Sequence, residues 1–336
     1  MSQTRSSSYK KLFSQLEESE DIFERQILDR IQIDYDRFHE NDLKAFIELL
    51  PDQEETECLN CGSRDFIRYG KDRNGFHRYR CKKCNQTFSE TKSSLFFASK
   101  INIKAWFEFL ECLLSGTSVH AACLAAKISP VTGSVWMRKI FLTLKDYQDS
   151  ICLGKEVFID ETYVHEDKSK IFYYEELGKI KKVKKQPRGI SRNKICILLA
   201  TDKKISFAEI EGKGRPHRDK NYSICQKHIT EGSHLIGDED TSMTYTVECM
   251  KLKRTMYKGG TETSYKELVP IDQLCNRFKF FINKHRGFKK DLLQDYINLF
   301  IFIDNENNEE NDLYKVTMKL LKMMFEYKKT SKDAGE

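Results

Sequence analysis

The sequence predicts a multidomain α+β protein, in which a zinc ribbon and a helix-turn-helix precede an α/β domain. Three observations carry this. Two Cys-x2-Cys pairs, "CLNC" at 58–61 and "CKKC" at 81–84, stand close together. Helical periodicity follows at 101–147. Beyond 155 the pattern changes to short β-rich runs, "KEVFIDETYV", "IFYYEEL", "NKICILLATD" and "KISFAEIEG", separated by turn or charge clusters.

The elements follow in order. Residues 1–52 form a helical region, because "FERQILDRIQIDYDRF" and "NDLKAFIELL" space apolar residues at three and four and Pro51 stops the second. Residues 53–95 hold the ribbon, with Gly62, Gly70 and Gly75 as turn markers, and residues 100–148 the helix-turn-helix. Residues 153–304 form the α/β domain. It contains a basic loop, "GKIKKVKKQPRGISRNK" at 178–194, one more strand, "HLIGDED", and helical sequence at 270–303. Residues 305–336 are a C-terminal region with an acidic Asn/Glu linker and a final amphipathic helix at 313–328.

Composition bounds the function classes. At 336 residues, 39% hydrophobic and 32% charged, the chain has an ordinary globular mix. No apolar run approaches the ~20 residues of a membrane helix, and "YINLFIFI" at 296–303 is far shorter. The opening "MSQTRSSSYKKL" has no apolar signal core. The expectation is a cytoplasmic protein without a membrane partner. The eleven cysteines should then be reduced. Seven of them, outside the two pairs, read as small core residues. The net charge of +6 permits nucleic-acid binding without proving it.

In Cys58-x2-Cys61-x19-Cys81-x2-Cys84 each pair supplies two thiolates from one tight turn, and two such turns complete a tetrahedron around Zn²⁺. The competing readings are a redox pair or coincidence. His77 is a rival ligand, but four cysteines fill the site. Between and beside them lie Arg64, Arg68, Lys71, Arg73, Arg78, Arg80, Lys82 and Lys83, among Phe66, Tyr69, Phe76 and Tyr79. Such density suits a phosphate-contacting surface; a solvated charged face is the alternative.

In the next segment Ser118 can cap one helix and Ser129 another, with Pro130 in the first turn, where its missing N–H costs nothing. Trp136, Ile140 and Leu144 fall on one face of the second helix. Thr132, Ser134, Arg138 and Lys139 fall opposite, as on a helix entering the major groove of double-stranded DNA. An ordinary helical hairpin is the alternative.

The stretch "VFIDETYVH" runs three apolar residues into Asp160 and Glu161. On a strand these two point to opposite faces, so only one can enter a shared site. "SHLIGDED" at 233–240 is a second apolar run ending in acids, and Asp272 heads a helix with Lys279 seven residues on, on the same face. Phosphodiester chemistry uses such a set: two Mg²⁺ ions about 4 Å apart, held by carboxylates, activate the attacking and leaving oxygens. Lys279 can hold a phosphate. Read singly, each acid is also an ordinary turn or cap residue, and Asp272 reads best as a helix N-cap.

The order of these motifs resembles the insertion-sequence transposases of the DDE superfamily, in their bacterial zinc-ribbon branch. The resemblance covers roughly residues 56–303 and is carried by "YRCKKCNQTFS", "IDETYV", "RGISRNKICILLATD", "LIGDED" and "KHRGFKKDLLQDYINLF". It implies a ribonuclease H-like catalytic domain, Mg²⁺- or Mn²⁺-dependent DNA cleavage and strand transfer, and recognition of terminal inverted repeats. It also implies homo-oligomers bridging two DNA ends. By motif position Asp160 is the first catalytic acid, Asp238 the second and Asp272 the third, with Lys279 beside them. There are departures. The third position in the family is Glu or Asn, not Asp. Met243 and Tyr245 stand where relatives carry a His, and Asp240 competes with Asp238.

Three readings follow. The first is a DNA transposase acting on element ends and target. The second is a catalytically inactive DNA-binding regulator that keeps the ribbon and helix-turn-helix. The third is a structure-selective nuclease.

Overall fold

The computed structural model describes residues 57–58, 60–72, 75–89, 91, 94–96, 101–165, 174–176, 179–181, 194–239, 241–285, 290–309 and 312–327. The helical region expected at 1–52, Arg73, Asp240 and most of the basic loop lie outside them. The chain divides into two units, one of residues 1–143 with 310–336, the other of residues 144–309.

In the first unit β1 (Phe66–Lys71), β2 (His77–Cys81) and β3 (Thr87–Ser89) form an antiparallel sheet in that order. Its inner face is a small core of Phe66, Tyr79 and Phe88 packed with Cys58, Cys61, Cys81 and Cys84. The three rings meet at centroid distances of 5.3 to 5.6 Å. Three helices follow: α1 (Ile103–Leu114), α2 (Val119–Ala125) and α3 (Pro130–Leu144).

Each of these helices starts where a short polar side chain satisfies an otherwise unpaired N–H. Asn102 accepts from Lys104 N–H at 2.9 Å, Ser118 from Ala121 N–H at 3.2 Å and Ser129 from Thr132 N–H at 3.1 Å. As the spacing required, Trp136, Ile140 and Leu144 are buried, and Trp136 stacks on Trp106 at 3.7 Å. The small residues of α2 have a purpose. A Cβ at Gly133 would lie 2.2 Å from Cys123 Sγ, so α3 crosses α2 closer than any side chain permits. The last helix, α9 (Leu313–Glu326), packs on α1 and buries Val316, Leu320 and Met324.

The second unit is built on a five-stranded mixed sheet of β4 (Glu156–His165), β7 (Lys194–Thr201), β8 (Ser206–Lys213), β9 (His234–Asp238) and β10 (Lys253–Tyr257). A separate hairpin, β5 (Tyr174–Glu176) with β6 (Lys179–Lys181), sits between β4 and β7 in sequence. The sheet order is β10-β9-β4-β7-β8, with β4, β7 and β8 antiparallel and β4, β9 and β10 parallel. β7 is flanked on both sides and buried almost throughout, which is why "ICILLA" carries no alternation.

Five helices of this unit were expected only in outline: the longer α4 (Arg218–His228), α7 (Val269–Lys284) and α8 (Leu293–Glu309), and the short α5 (Thr244–Cys249) and α6 (Glu262–Glu267) that precede α7. α7 packs on β4 and β7, and α8 on β8. α8 also closes the sheet's edge. Ser206 N–H donates to Asn305 Oδ1 at 2.8 Å, and Asn305 Nδ2 donates back to Ser206 O at 3.0 Å. Gln148 brackets Ala208 in the same way, at 2.8 and 2.9 Å, and Gln294 Oε1 accepts from Ile210 N–H at 3.1 Å. Side-chain amides thus stand in for a missing neighbouring strand.

Four expectations need correction. The acidic run after 304 is not a linker: α8 continues to Glu309. Its first polar residues are buried with partners, Asp304 on Arg277 at 2.6 and 3.1 Å and Glu306 on the Tyr147 hydroxyl at 3.2 Å, while residues 307–309 are exposed. A second strand, β10, follows β9; being an edge strand it has no apolar run to reveal it. Of the seven lone cysteines, Cys152 and Cys249 are exposed. Asp272 is not an N-cap: it lies in the first turn of α7 and donates its own N–H to Leu268 O at 3.0 Å.

Candidate active site and cysteine centre

The four ribbon thiols converge, all within 4.8 Å of one another, without His77. Cys58 and Cys84 sulfurs are 3.5 Å apart and Cys61 and Cys81 3.6 Å. A tetrahedron with Zn–S bonds of 2.3 Å has edges of about 3.8 Å, so the set fits that ion. The two turns are built alike. The residue after each pair, Gly62 and Asn85, adopts positive φ, and its N–H returns to the first cysteine's carbonyl, at 2.6 and 3.0 Å. Hydrogen bonds from the Gln86 backbone and the Asn60 side chain lower the Cys84 thiol to about 6, whereas at Cys61 a Ser63 backbone hydrogen bond is outweighed by burial and the neighbouring thiols, which push it up to about 12.

On the outer face of the same sheet, Arg78 and Arg80 place their guanidiniums 5.8 and 5.7 Å from the centre of the exposed Tyr69 ring. Lys82 and Lys83 are exposed nearby in the second cysteine turn, with Lys82 paired to Asp65 at 2.8 Å. On α3, Ser134 and Arg138 are exposed and Thr132 is half-buried. Lys139 differs: its amine donates to Leu95 O and lies 5.6 Å from the Trp106 ring. Sequence reasoning missed Val131 and Val135, which are 75% and 45% exposed beside Ser134 and Arg138. Apolar residues on a helix's open face were the available signal.

The acids gather around the end of β9. β4 and β9 run parallel through Phe158↔Ile236, and continuing that register sets Asp160 beside Asp238. Gly237 makes the approach possible, since a Cβ there would lie 2.9 Å from Ile159 O. Asp160 is half-buried; its Oδ1 accepts from Glu161 N–H at 2.8 Å and its Oδ2 from the Cys275 thiol at 3.7 Å. Burial first, then the charge of Asp238, push Asp160 up to about 6; Asp272 adds to this, while the Glu161 N–H and Lys279 oppose it. Asp272, Cys275 and Lys279, spaced at three and seven along α7, therefore all act on Asp160.

One expectation is overturned here. Glu161 does not point away from the site: oxygens of Asp160, Glu161 and Asp238 all lie within 4.8 Å of one another. Beyond Phe158 strand β4 keeps its pleat against β7 but has no β9 partner, so the sheet is open on that side and a side chain as long as Glu161 can reach round to the site. Asp272 is outside this tight set. Gly237, Met243 and Arg254 line the same cleft as the three acids. Arg254 comes from the unforeseen strand β10, so nothing in its sequence context marked it.

No family model matches the chain. Over 50 residues it is 38% identical to an "uncharacterized protein in transposable element ISH50" from Halobacterium salinarum, a stretch covering 15% of this chain and 17% of that protein. The chain thus has a relative in a transposable element, as the motif resemblance implied, and its match spans under a fifth of that relative's length. Among solved structures, a pre-cleavage Mos1 transpososome is 12% identical, with 66% of this chain and 79% of that chain covered and a TM-score of 0.26. The Mos1 mariner paired end complex with Mg is also 12% identical, with 65% and 75% covered and a TM-score of 0.29. The catalytic domain of Mos1 mariner transposase is again 12% identical, with 57% and 93% covered and a TM-score of 0.25.

Proposed function

We propose that the chain is a metal-dependent DNA transposase, with a ribonuclease H-like catalytic unit, a zinc ribbon and a helix-turn-helix. The observation that carries this is the convergence of Asp160 and Asp238 on adjacent parallel strands, with Asp272 and Lys279 of α7 acting on Asp160. The sheet order, three antiparallel strands continued by two parallel ones, supports the catalytic-unit assignment. The relative from a transposable element supports the biological setting.

The carboxylate oxygens are hard donors that suit Mg²⁺ or Mn²⁺. Asp160 and Asp238 would hold the ions, with Asp272 completing the set. Bound there, the ions supply Lewis acidity at the attacking and leaving oxygens of a phosphodiester. The chain's own groups do the rest. The Glu161 N–H and the Cys275 thiol fix the Asp160 carboxylate in one orientation. Lys279, exposed on α7, is placed to hold a phosphate oxygen. Water first opens the bond at an element end, and the freed 3′-hydroxyl then attacks target DNA.

Double-stranded DNA is the partner. The ribbon face of Tyr69, Arg78 and Arg80, the turn lysines Lys82 and Lys83, and the α3 face of Thr132, Ser134 and Arg138 are the contact surfaces. Two copies bridge two element ends. Among the described residues no helix is long and apolar enough to cross a membrane. One observation favours the inactive-regulator reading: Asp272 lies outside the tight acidic set.

The test is cleavage of a plasmid carrying the gene's native flanks, with Mg²⁺ or Mn²⁺, by wild type and Asp160→Asn. Cuts at the flanks that vanish in the variant support the transposase. Flanks bound but uncut by wild type support the regulator.

A further inference from the structure

We infer that Glu161 is an additional carboxylate ligand of the divalent-cation site, and that Ser242 and Asn221 are the residues that position it. This rests on the metal-dependent reading above. Three carboxylates within 4.8 Å repel one another, so a side chain as long as Glu161 would swing into solvent unless held. It is held. Ser242 Oγ donates to Glu161 Oε1 at 3.0 Å, and Asn221 Nδ2 donates to Ser242 Oγ at 3.2 Å.

The direction of this relay is fixed by chemistry. Ser242 has one hydroxyl proton, and it faces the carboxylate, so the group behind Ser242 must be a donor. Only the NH2 side of Asn221 qualifies, which fixes the amide's orientation. Asn221 is fully buried, and its Oδ1 has no hydrogen-bond partner among the described residues. A buried acceptor left unmatched is costly. The fold accepts that cost at a residue whose donor end steadies Ser242.

The relay also comes from different parts of the chain. Asn221 lies on α4 and Ser242 in the 3₁₀ turn Thr241–Met243, directly after Asp238 and before α5. The turn that carries Ser242 therefore ties Glu161 to the loop that follows Asp238. Ordinary core packing does not call for a chain of directed donors ending on a carboxylate. A ligand that must meet a small hard cation does, because outer hydrogen bonds orient such ligands.

The experiment is Mn²⁺ binding to the full chain, its cysteine centre first saturated with Zn²⁺, read by electron paramagnetic resonance of the free ion. Asp160→Asn, Glu161→Gln, Ser242→Ala, Ser242→Thr and Asn221→Ala are compared, each with a thermal melt. Glu161→Gln and Ser242→Ala should weaken Mn²⁺ binding by ~10-fold or more without loss of the folded transition, and Ser242→Thr should restore it. Wild-type affinity in Glu161→Gln, with binding lost in Asp160→Asn, overturns the inference and leaves the metal site standing. Weakened binding in Glu161→Gln alone, with Ser242→Ala unchanged, overturns the positioning role. Undiminished binding in Asp160→Asn, or none in wild type, overturns the metal-site reading and the inference with it.

Discussion

Gly237 lies so close to the Ile159 carbonyl that a methyl group in place of its hydrogen would sit 2.9 Å from that oxygen. The neighbouring atom is backbone and cannot rotate away. The contact falls one residue before Asp238 and one before Asp160, where β4 and β9 end their pairing. Gly237→Ala should therefore push the two acids apart while leaving the buried β7 core in place. The expected result is a loss of metal-dependent DNA cleavage by ~100-fold or more, with an unchanged circular dichroism spectrum, because small misplacements of reacting groups are costly. Cleavage at wild-type rate would show that the acids tolerate a wider spacing.

Asp160 should make the metal-free protein less stable at neutral pH. Its folded-state pKa, about 6, is raised above the ordinary 3.8, so the native state holds the proton more tightly than the unfolded chain. Stability contributed by that proton is present at low pH and is lost as pH rises through about 6. Asp160→Asn removes the penalty. With chelator present, the variant should melt higher at pH 7.5, by on the order of 1–2 kcal/mol after allowing for partial exposure, and the gap should shrink toward pH 4.5. Added Mn²⁺ should stabilise wild type and not the variant.

The α2–α3 crossing offers a cleaner test of packing. Gly133→Ala places a carbon 2.2 Å from Cys123 Sγ and should destabilise the first unit by about 1–3 kcal/mol. Combining it with Cys123→Ala removes the clashing sulfur and should recover part of the loss, a coupling that denaturant melts of the four proteins would measure.

The cysteine centre should govern DNA binding and not the catalytic unit. The ribbon's buried core consists of few aromatic residues besides its thiols, so metal binding supplies much of its folding energy. Stripping the ion with a strong chelator, or Cys81→Ser, should abolish specific binding to the flanks. The second unit's cooperative melting should persist. Retained binding at full affinity would assign recognition to the helices alone.

Much of this was legible because the physics was local. Two Cys-x2-Cys turns, Ser118 and Ser129 as caps, and apolar runs ending on Asp160 and Asp238 are decided by neighbours in sequence. The misreadings share a cause of the opposite kind. β10 was missed because an edge strand with little buried surface needs no apolar pattern. The run after 304 looked like a linker because its acids and amides are polar, yet their partners lie 27 to 159 residues away. Glu161 was kept out of the site because alternation fixes where a side chain starts, not how far a long one reaches past the open side that β9 leaves there. The bond from Lys139 to the Leu95 carbonyl, 44 residues away, was equally out of sight in the sequence.

The amides that close β8 also set a timetable for synthesis. Asn305 meets Ser206 from 99 residues further along the chain and Gln294 meets Ile210 from 84. At ribosomal rates of ~5–20 residues per second, the outer groups of β8 wait about 5–20 s for Asn305 to be made. During that interval Gln148, made earlier, can cover Ala208, but the groups of Ser206 and Ile210 stand open at the sheet's border. A product that stops ahead of α8 keeps Ser206 and Ile210 uncovered at the β8 border, so a chain truncated before residue 293 is expected to self-associate, which size-exclusion chromatography would test.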